Sequence, residues 1–186
     1  LLGSTGTYAY LTREERLRAA KAAVECVRGR LPLVVGAGAL RTDWAQDLAR
    51  DAEAAGADAL LMAPVSYTPL TQDEAFEHYG AVTDVSGLPI CLYNNPGTTH
   101  FTFGFDLLER LSGLPTIRAV KMPLPSDGDY AGELATLRNR TELAVGYSGD
   151  WGTADALLAG ADAFYSVLGG ALPGPVVALA RAARAG

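Results

Sequence analysis

Lysine is almost missing from this sequence. Lys21 and Lys121 are the only two among 15 basic residues, so arginine is used wherever a plain cation serves. Cysteine is just as sparse, and Cys26 and Cys91 make no disulfide framework. Cys26 falls in a helical pattern and Cys91 in an apolar strand-like run. Both read as reduced core thiols, in keeping with a cytoplasmic protein. Histidine is limited to His78 and His100, and no Cys/His/carboxylate cluster has ligand spacing, so no metal is expected. No apolar run approaches the roughly 18–20 residues of a membrane span, so no membrane partner is expected. Excess positive charge is absent as well. Net charge is −6, with 21 acidic residues against 15 basic, which argues against a nucleic-acid partner. Gly-x-Gly-x-x-Gly and Walker loops are absent, and Gly36-Ala37-Gly38 is only a fragment of one. Gly-x-Ser-x-Gly is absent too, which lowers the α/β-hydrolase reading.

What the chain does contain is a core and a rhythm. Hydrophobic residues make up 49% and charged residues 19% of 186, enough for one well-packed domain. Six short apolar runs stand out: 33–37, 59–63, 90–93, 117–122, 143–147 and 163–168. Leu60-Leu61-Met62 and Ile90-Cys91-Leu92 are continuous rather than alternating, as in parallel strands buried on both faces.

Helical patterns lie between the runs. Leu17, Ala20, Val24 and Val27 form one apolar stripe, and Thr12 and Glu15 have capping-box spacing before it. Thr71 and Glu74 repeat that spacing before Ala75, Phe76, Tyr79 and Val82. Trp44, Leu48 and Ala52 mark another helix; Leu107, Leu108 and Leu111 a short one; Leu134 and Leu137 a further one. Ala154, Leu157 and Leu158, then Val176, Val177, Leu179 and Ala180, mark the last two. Ala-Gly-Ala-Asp occurs at 55–58 and again at 159–162, each time ending a helix with Gly and entering a strand.

This alternation fits a doubly wound open sheet or a (β/α)8 barrel. A barrel needs roughly 250 residues. The first residue is Leu1, Gly3-Ser4-Thr5-Gly6 follows almost no strand, and the last helical pattern has no tail. The expectation is one α/β (β/α)8 TIM-barrel domain over 1–186, truncated at both ends, running from about the end of strand 2 to helix 8.

Chemistry gathers where strands end. Lys121 follows Ile117-Arg118-Ala119-Val120. An amine on a buried strand is costly to charge, and its neutral form attacks carbonyls, which an arginine cannot do. A strand-end lysine that snorkels to solvent is the other reading. Tyr93 ends its own strand in Tyr93-Asn94-Asn95-Pro96-Gly97, where it could pass a proton to or from a carbinolamine or simply sit half-buried. Gly3-Ser4-Thr5-Gly6 offers backbone N–H groups and two hydroxyls to an anion, or is an ordinary turn. Ser148-Gly149-Asp150 and Gly169-Gly170 are turns that could also keep space open for a substrate.

In this order and spacing, Gly-Ser-Thr-Gly, Tyr-Asn-Asn-Pro, an apolar-strand lysine and Ser-Gly-Asp resemble the dihydrodipicolinate synthase / N-acetylneuraminate lyase family. The resemblance runs along essentially the whole chain. It implies a (β/α)8 barrel, usually a homotetramer, working through a lysine Schiff base with a 2-oxo acid such as pyruvate and needing no cofactor. It implies that Lys121 is the Schiff-base lysine and Tyr93 the proton-relaying tyrosine, with Ser4 joining the relay. By the same resemblance Gly3, Thr5 and Gly6 hold the acid's carboxylate, and the backbone of Tyr165 faces the bound acid.

Departures accompany the likeness. The family's synthases often have Glu after the glycine loop, where this chain has Thr7. They place a carboxylate-gripping Arg two residues after the proline, where this chain has Thr98. Met122-Pro123 follow the lysine, and Val65-Ser66-Tyr67 replace the family's paired tyrosines, one of which enters a neighbouring subunit. Tyr67 could serve if the loop shifts by one residue. These differences set dihydrodipicolinate synthase itself aside in favour of another Schiff-base lyase or aldolase. A non-catalytic binding or regulatory relative is the alternative.

Overall fold

The computed structural model describes residues 1–186. Parallel strands alternate with helices along the chain, which divides into two compact units, 1–118 and 119–186.

The first unit opens with 3-10 turns at Ser4–Gly6 and Tyr8–Tyr10, followed by α1 (Arg13–Val27). Next come β1 (Val34–Gly36), α2 (Thr42–Ala55), β2 (Ala59–Met62), α3 (Gln72–Thr83) and β3 (Ile90–Tyr93). A four-residue helix, α4 (Pro96–Thr99), and α5 (Phe105–Ser112) follow. Strands β1, β2 and β3 pair in parallel, in the order of the chain. The N–H of Gly36, the last residue of β1, donates to Leu1 O at 2.9 Å. β4 (Ile117–Pro123) carries the chain into the second unit.

The second unit continues with α6 (Tyr130–Arg140), β5 (Ala144–Ser148), α7 (Thr153–Leu158), β6 (Ala163–Tyr165) and α8 (Pro173–Ala185). β4, β5 and β6 are again parallel neighbours.

Both expected capping boxes form. Thr12 and Thr71 accept the backbone N–H of Glu15 and Glu74, whose carboxylates reach back to the cap residues. The two Ala-Gly-Ala-Asp segments do the same work. Gly56 (φ 93°) and Gly160 (φ 98°) turn the chain in the left-handed region. The following aspartate then pairs reciprocally with the neighbouring strand. Asp58 accepts Leu33 N–H at 2.7 Å, and its own N–H donates to Leu33 O at 2.9 Å. Asp162 does likewise with Val145, at 2.8 Å in both directions. The carboxylate holds a strand-entry N–H that the ladder leaves unpaired.

Two expectations need correction. Cys26 is exposed, not a core thiol, because it lies off the buried side of α1. That side begins with Arg16, 6% exposed, whose guanidinium donates to Gly36 O at 2.8 Å and Gly38 O at 3.1 Å. Trp44 is 54% exposed, and the inward stripe of α2 is Ala45, Leu48, Ala49 and Ala52. The run 163–168 yields only the strand Ala163–Tyr165. Asp150 ends it by accepting the N–H groups of Val167 (3.2 Å) and Leu168 (3.0 Å), which curls the chain into a 3-10 turn.

Tyr79 fastens α3 to the sheet. It is fully buried, and its hydroxyl donates to Met62 O at 2.7 Å, at the carboxyl end of β2. Tyr79→Phe removes that buried bond and keeps the packing, so the full-length protein is expected to lose about 1 kcal/mol in denaturant unfolding. An unchanged midpoint would show that Met62 O finds another donor.

Candidate active site

Lys121 stands on β4 opposite Gly146 of β5, and Gly146 stands opposite Ala163 of β6. Registered partners in a parallel sheet share a face, so these three residues form one rung. Pro123, Ser148 and Tyr165 form the next rung on that face. The opposite face, Val120 and Met122 on β4 and Val145 and Tyr147 on β5, is buried. There Tyr147 meets the Tyr130 ring edge-on at 5.2 Å.

The Tyr165 ring leans back from its own rung over Gly146. A Cβ on Gly146 would stand 2.6 Å from Tyr165 Cε2, closer than two carbons approach. The missing side chain is therefore what lets the ring lie there. Its face sits 5.3 Å from Lys121 Nζ, within cation–π range. Both residues are half-buried, so the amine is neither sealed off nor fully solvated.

Asp150 sets the turn that follows Tyr165. Its carboxylate accepts the Ser166 hydroxyl in a short hydrogen bond, and Ser166 Oγ accepts Gly169 N–H at 2.7 Å. The Ser166 hydroxyl, with the Leu168 and Val167 N–H groups behind it, holds the Asp150 carboxyl below the usual aspartate range. Sequence reasoning treated Ser148-Gly149-Asp150 as a turn or a spacer and missed this role. A lone aspartate carries no local signal for an acceptor that serves residues sixteen positions away.

In the first unit, Tyr93 is the last residue of β3 and is 8% exposed. Its hydroxyl accepts from Asn95 Nδ2 at 3.1 Å, and the same nitrogen donates to Thr98 Oγ1 at 2.9 Å. Asn95 thus links Tyr93 to Thr98, an exposed residue of α4. Beyond that helix, Phe101 and Phe103 are buried and meet edge-to-face at 5.1 Å. Phe103 rests on Tyr79 at 5.8 Å, which anchors the far end of the loop.

The Gly3–Gly6 loop is a 3-10 turn closed by Gly6 N–H to Gly3 O (2.9 Å) and Thr7 N–H to Ser4 O (3.0 Å). Those bonds leave the N–H groups of Ser4 and Thr5 outside the turn's own pairing. Ser4, Thr5 and Gly6 are all exposed. Tyr8, which sequence reasoning did not single out, packs its ring on the Arg16 guanidinium at 5.2 Å. Burial raises its phenol above the ordinary range; Arg16 opposes this and the nearby Tyr93 adds to it. Tyr67 is 96% exposed. A cavity of about 490 Å3 bordered by Tyr8, Arg16, Leu40, Trp44 and Val65 includes none of the expected site residues and no lysine or cysteine.

Comparison with known proteins agrees along the whole chain. Residues 1–186 match the Dihydrodipicolinate synthetase family. The 4-hydroxy-tetrahydrodipicolinate synthase of Hyphomonas neptunium is 38% identical over 149 residues, 80% of this chain and 50% of that protein. The enzyme of the same name from Alcanivorax borkumensis is 35% identical over 190 residues, covering 100% of this chain and 62% of its own. A crystal structure of dihydrodipicolinate synthase from Agrobacterium tumefaciens superposes with a TM-score of 0.97 at 62% identity, covering 100% of this chain and 63% of that one. The pyruvate complex of the Acinetobacter baumannii synthase gives 0.90 at 30% identity, covering 99% and 62%. The chain thus spans between half and just under two thirds of these relatives. Its parallel βα units are a portion of a TIM-barrel fold, and the chain belongs to the Dihydrodipicolinate synthetase family.

Proposed function

We propose that the full-length protein is a Schiff-base lyase or synthase that activates pyruvate, or a close 2-oxo acid, through Lys121. The observation that carries this reading is the lysine's setting. One of only two lysines in a chain with 13 arginines, Lys121 lies half-buried on β4, its amine facing an aromatic ring.

In this reading the neutral amine attacks C2 of the acid. The carbinolamine loses water to give an imine, which draws electrons from C3; C3 then gives up a proton to water and forms a C–C bond, or in the reverse sense receives the electron pair of a breaking C–C bond and is reprotonated. The imine is the electron sink, so the chemistry calls on no metal or organic cofactor. Thr5, with the N–H groups and glycines of the Gly3–Gly6 loop, holds the carboxylate. Tyr93 moves the proton at the carbinolamine oxygen, its hydroxyl steered by Asn95, and Ser4 extends the relay. The backbone at Tyr165 lines the acid. Residues 1–186 are part of a single (β/α)8 domain in a homotetramer. The exposed Tyr67 supports an exchange of side chains between subunits, and light scattering of the full-length protein reads the assembly directly.

Borohydride reduction of the full-length protein with pyruvate is expected to add one reduced adduct, located on Lys121 by peptide mass. Lys121→Arg should abolish it, because the charge stays and the nucleophile goes. An adduct confined to Lys21, or none in the wild type, would overturn the assignment.

The second substrate turns on Thr98. The comparisons lend no support to setting dihydrodipicolinate synthase activity aside, since relatives bearing that name match the chain from end to end. Thr98 nevertheless offers one hydroxyl, already bonded to Asn95, where the family's synthases place an Arg. A bidentate Arg–carboxylate pair would add two charge-assisted bonds. If the carboxylate of aspartate semialdehyde docks here, Thr98→Arg should raise kcat/KM for that aldehyde about tenfold or more. An unchanged ratio would place second-substrate recognition elsewhere.

A further inference from the structure

We propose that the Tyr165 side chain is a positioning residue for the imine, its ring face holding the positive charge that develops on Lys121 Nζ. This rests on the Schiff-base reading above and goes beyond the backbone role expected for Tyr165.

Three features of the second unit carry it. Tyr165 belongs to the rung above Lys121, so a side chain standing straight off β6 would not reach the amine. It reaches because Gly146, the residue directly opposite Lys121, has no Cβ, and the ring takes the space one would occupy. The chain beyond Tyr165 is fixed from outside the strand: Asp150 accepts the Ser166 hydroxyl and the N–H groups of Val167 and Leu168. The ring is thus set against the amine by a gap on one side and a clamped turn on the other.

Lys121 Nζ bonds to C2 of the 2-oxo acid. The carbonyl oxygen takes one proton from the nitrogen and one from the proton relay, then leaves as water. The nitrogen keeps one hydrogen and its double bond to C2, and the new group is a cation. Relative to the neutral amine that attacks, a ring face 5.3 Å from Nζ favours the imine cation. An aliphatic side chain of similar bulk would exclude water equally well and offer no such field.

The experiment measures the pyruvate concentration that gives half-maximal borohydride trapping at Lys121 in the full-length protein. Tyr165→Phe keeps the face and should stay within about twofold of wild type. Tyr165→Leu should need on the order of tenfold more pyruvate. Phenylalanines carrying one, two and three ring fluorines at position 165 preserve shape and drain the face of charge. They should weaken trapping step by step, a trend that a purely structural role would not produce. If the fluorinated series is flat, or Leu matches the wild type, the proposal falls while the Schiff-base reading stands. If the wild type itself fails to trap, the Schiff-base reading falls first and this proposal with it.

Discussion

A missing side chain at one position governs the arrangement around Lys121. Gly146 lies between β4 and β6, opposite the lysine, and leaves a gap that a methyl group would close. The Tyr165 ring fills the gap and meets the amine. Alanine at 146 would also press on Ala163 Cβ and O, each 2.9 Å from the added carbon, so neither ring nor strand could simply step aside. Packing, reach and electrostatics therefore converge on one residue that contributes no atoms beyond its backbone.

In each of the two units the chain sends short acidic side chains to backbone N–H groups. Asp58 and Asp162 pair with the strand entries at Leu33 and Val145, which sets where the strands begin. Asp150 stops β6 after Tyr165 and shapes the turn beyond it. Because its folded-state carboxyl titrates below the ordinary range, that clamp is complete above the usual aspartate pKa. It is lost only as pH falls through the lowered value. The two rungs of the second unit, Lys121, Gly146 and Ala163, then Pro123, Ser148 and Tyr165, carry no acid.

Much of this was legible in the sequence. Hydrophobic period and capping spacing located the helices, because both depend on residues three or four apart. The continuous runs marked parallel strands, and the scarcity of lysine singled out Lys121. What stayed hidden depends on long-range contacts. Arg16 reads as one more surface arginine until the carbonyls of Gly36 and Gly38 are seen to surround it. The strand expected over 163–168 is cut short by an aspartate from an earlier loop, which no window around Tyr165 contains. Cys26 reads as a core thiol by residue type, whereas the face of α1 turns it outward. The partnership of Tyr165 with Lys121 needs three strands in register, a property of the sheet and not of any segment.

The central claim is that Lys121 becomes covalently joined to a 2-oxo acid at equilibrium, before any reductant intervenes. Carbon-13 NMR of the full-length protein with pyruvate labelled at C2 reads that bond directly. The account predicts that the bound label moves from the ketone to the imine region in the wild type and remains a ketone with Lys121→Arg. A wild-type label that stays in the ketone region at saturating pyruvate, or an imine signal that survives in Lys121→Arg, would contradict it.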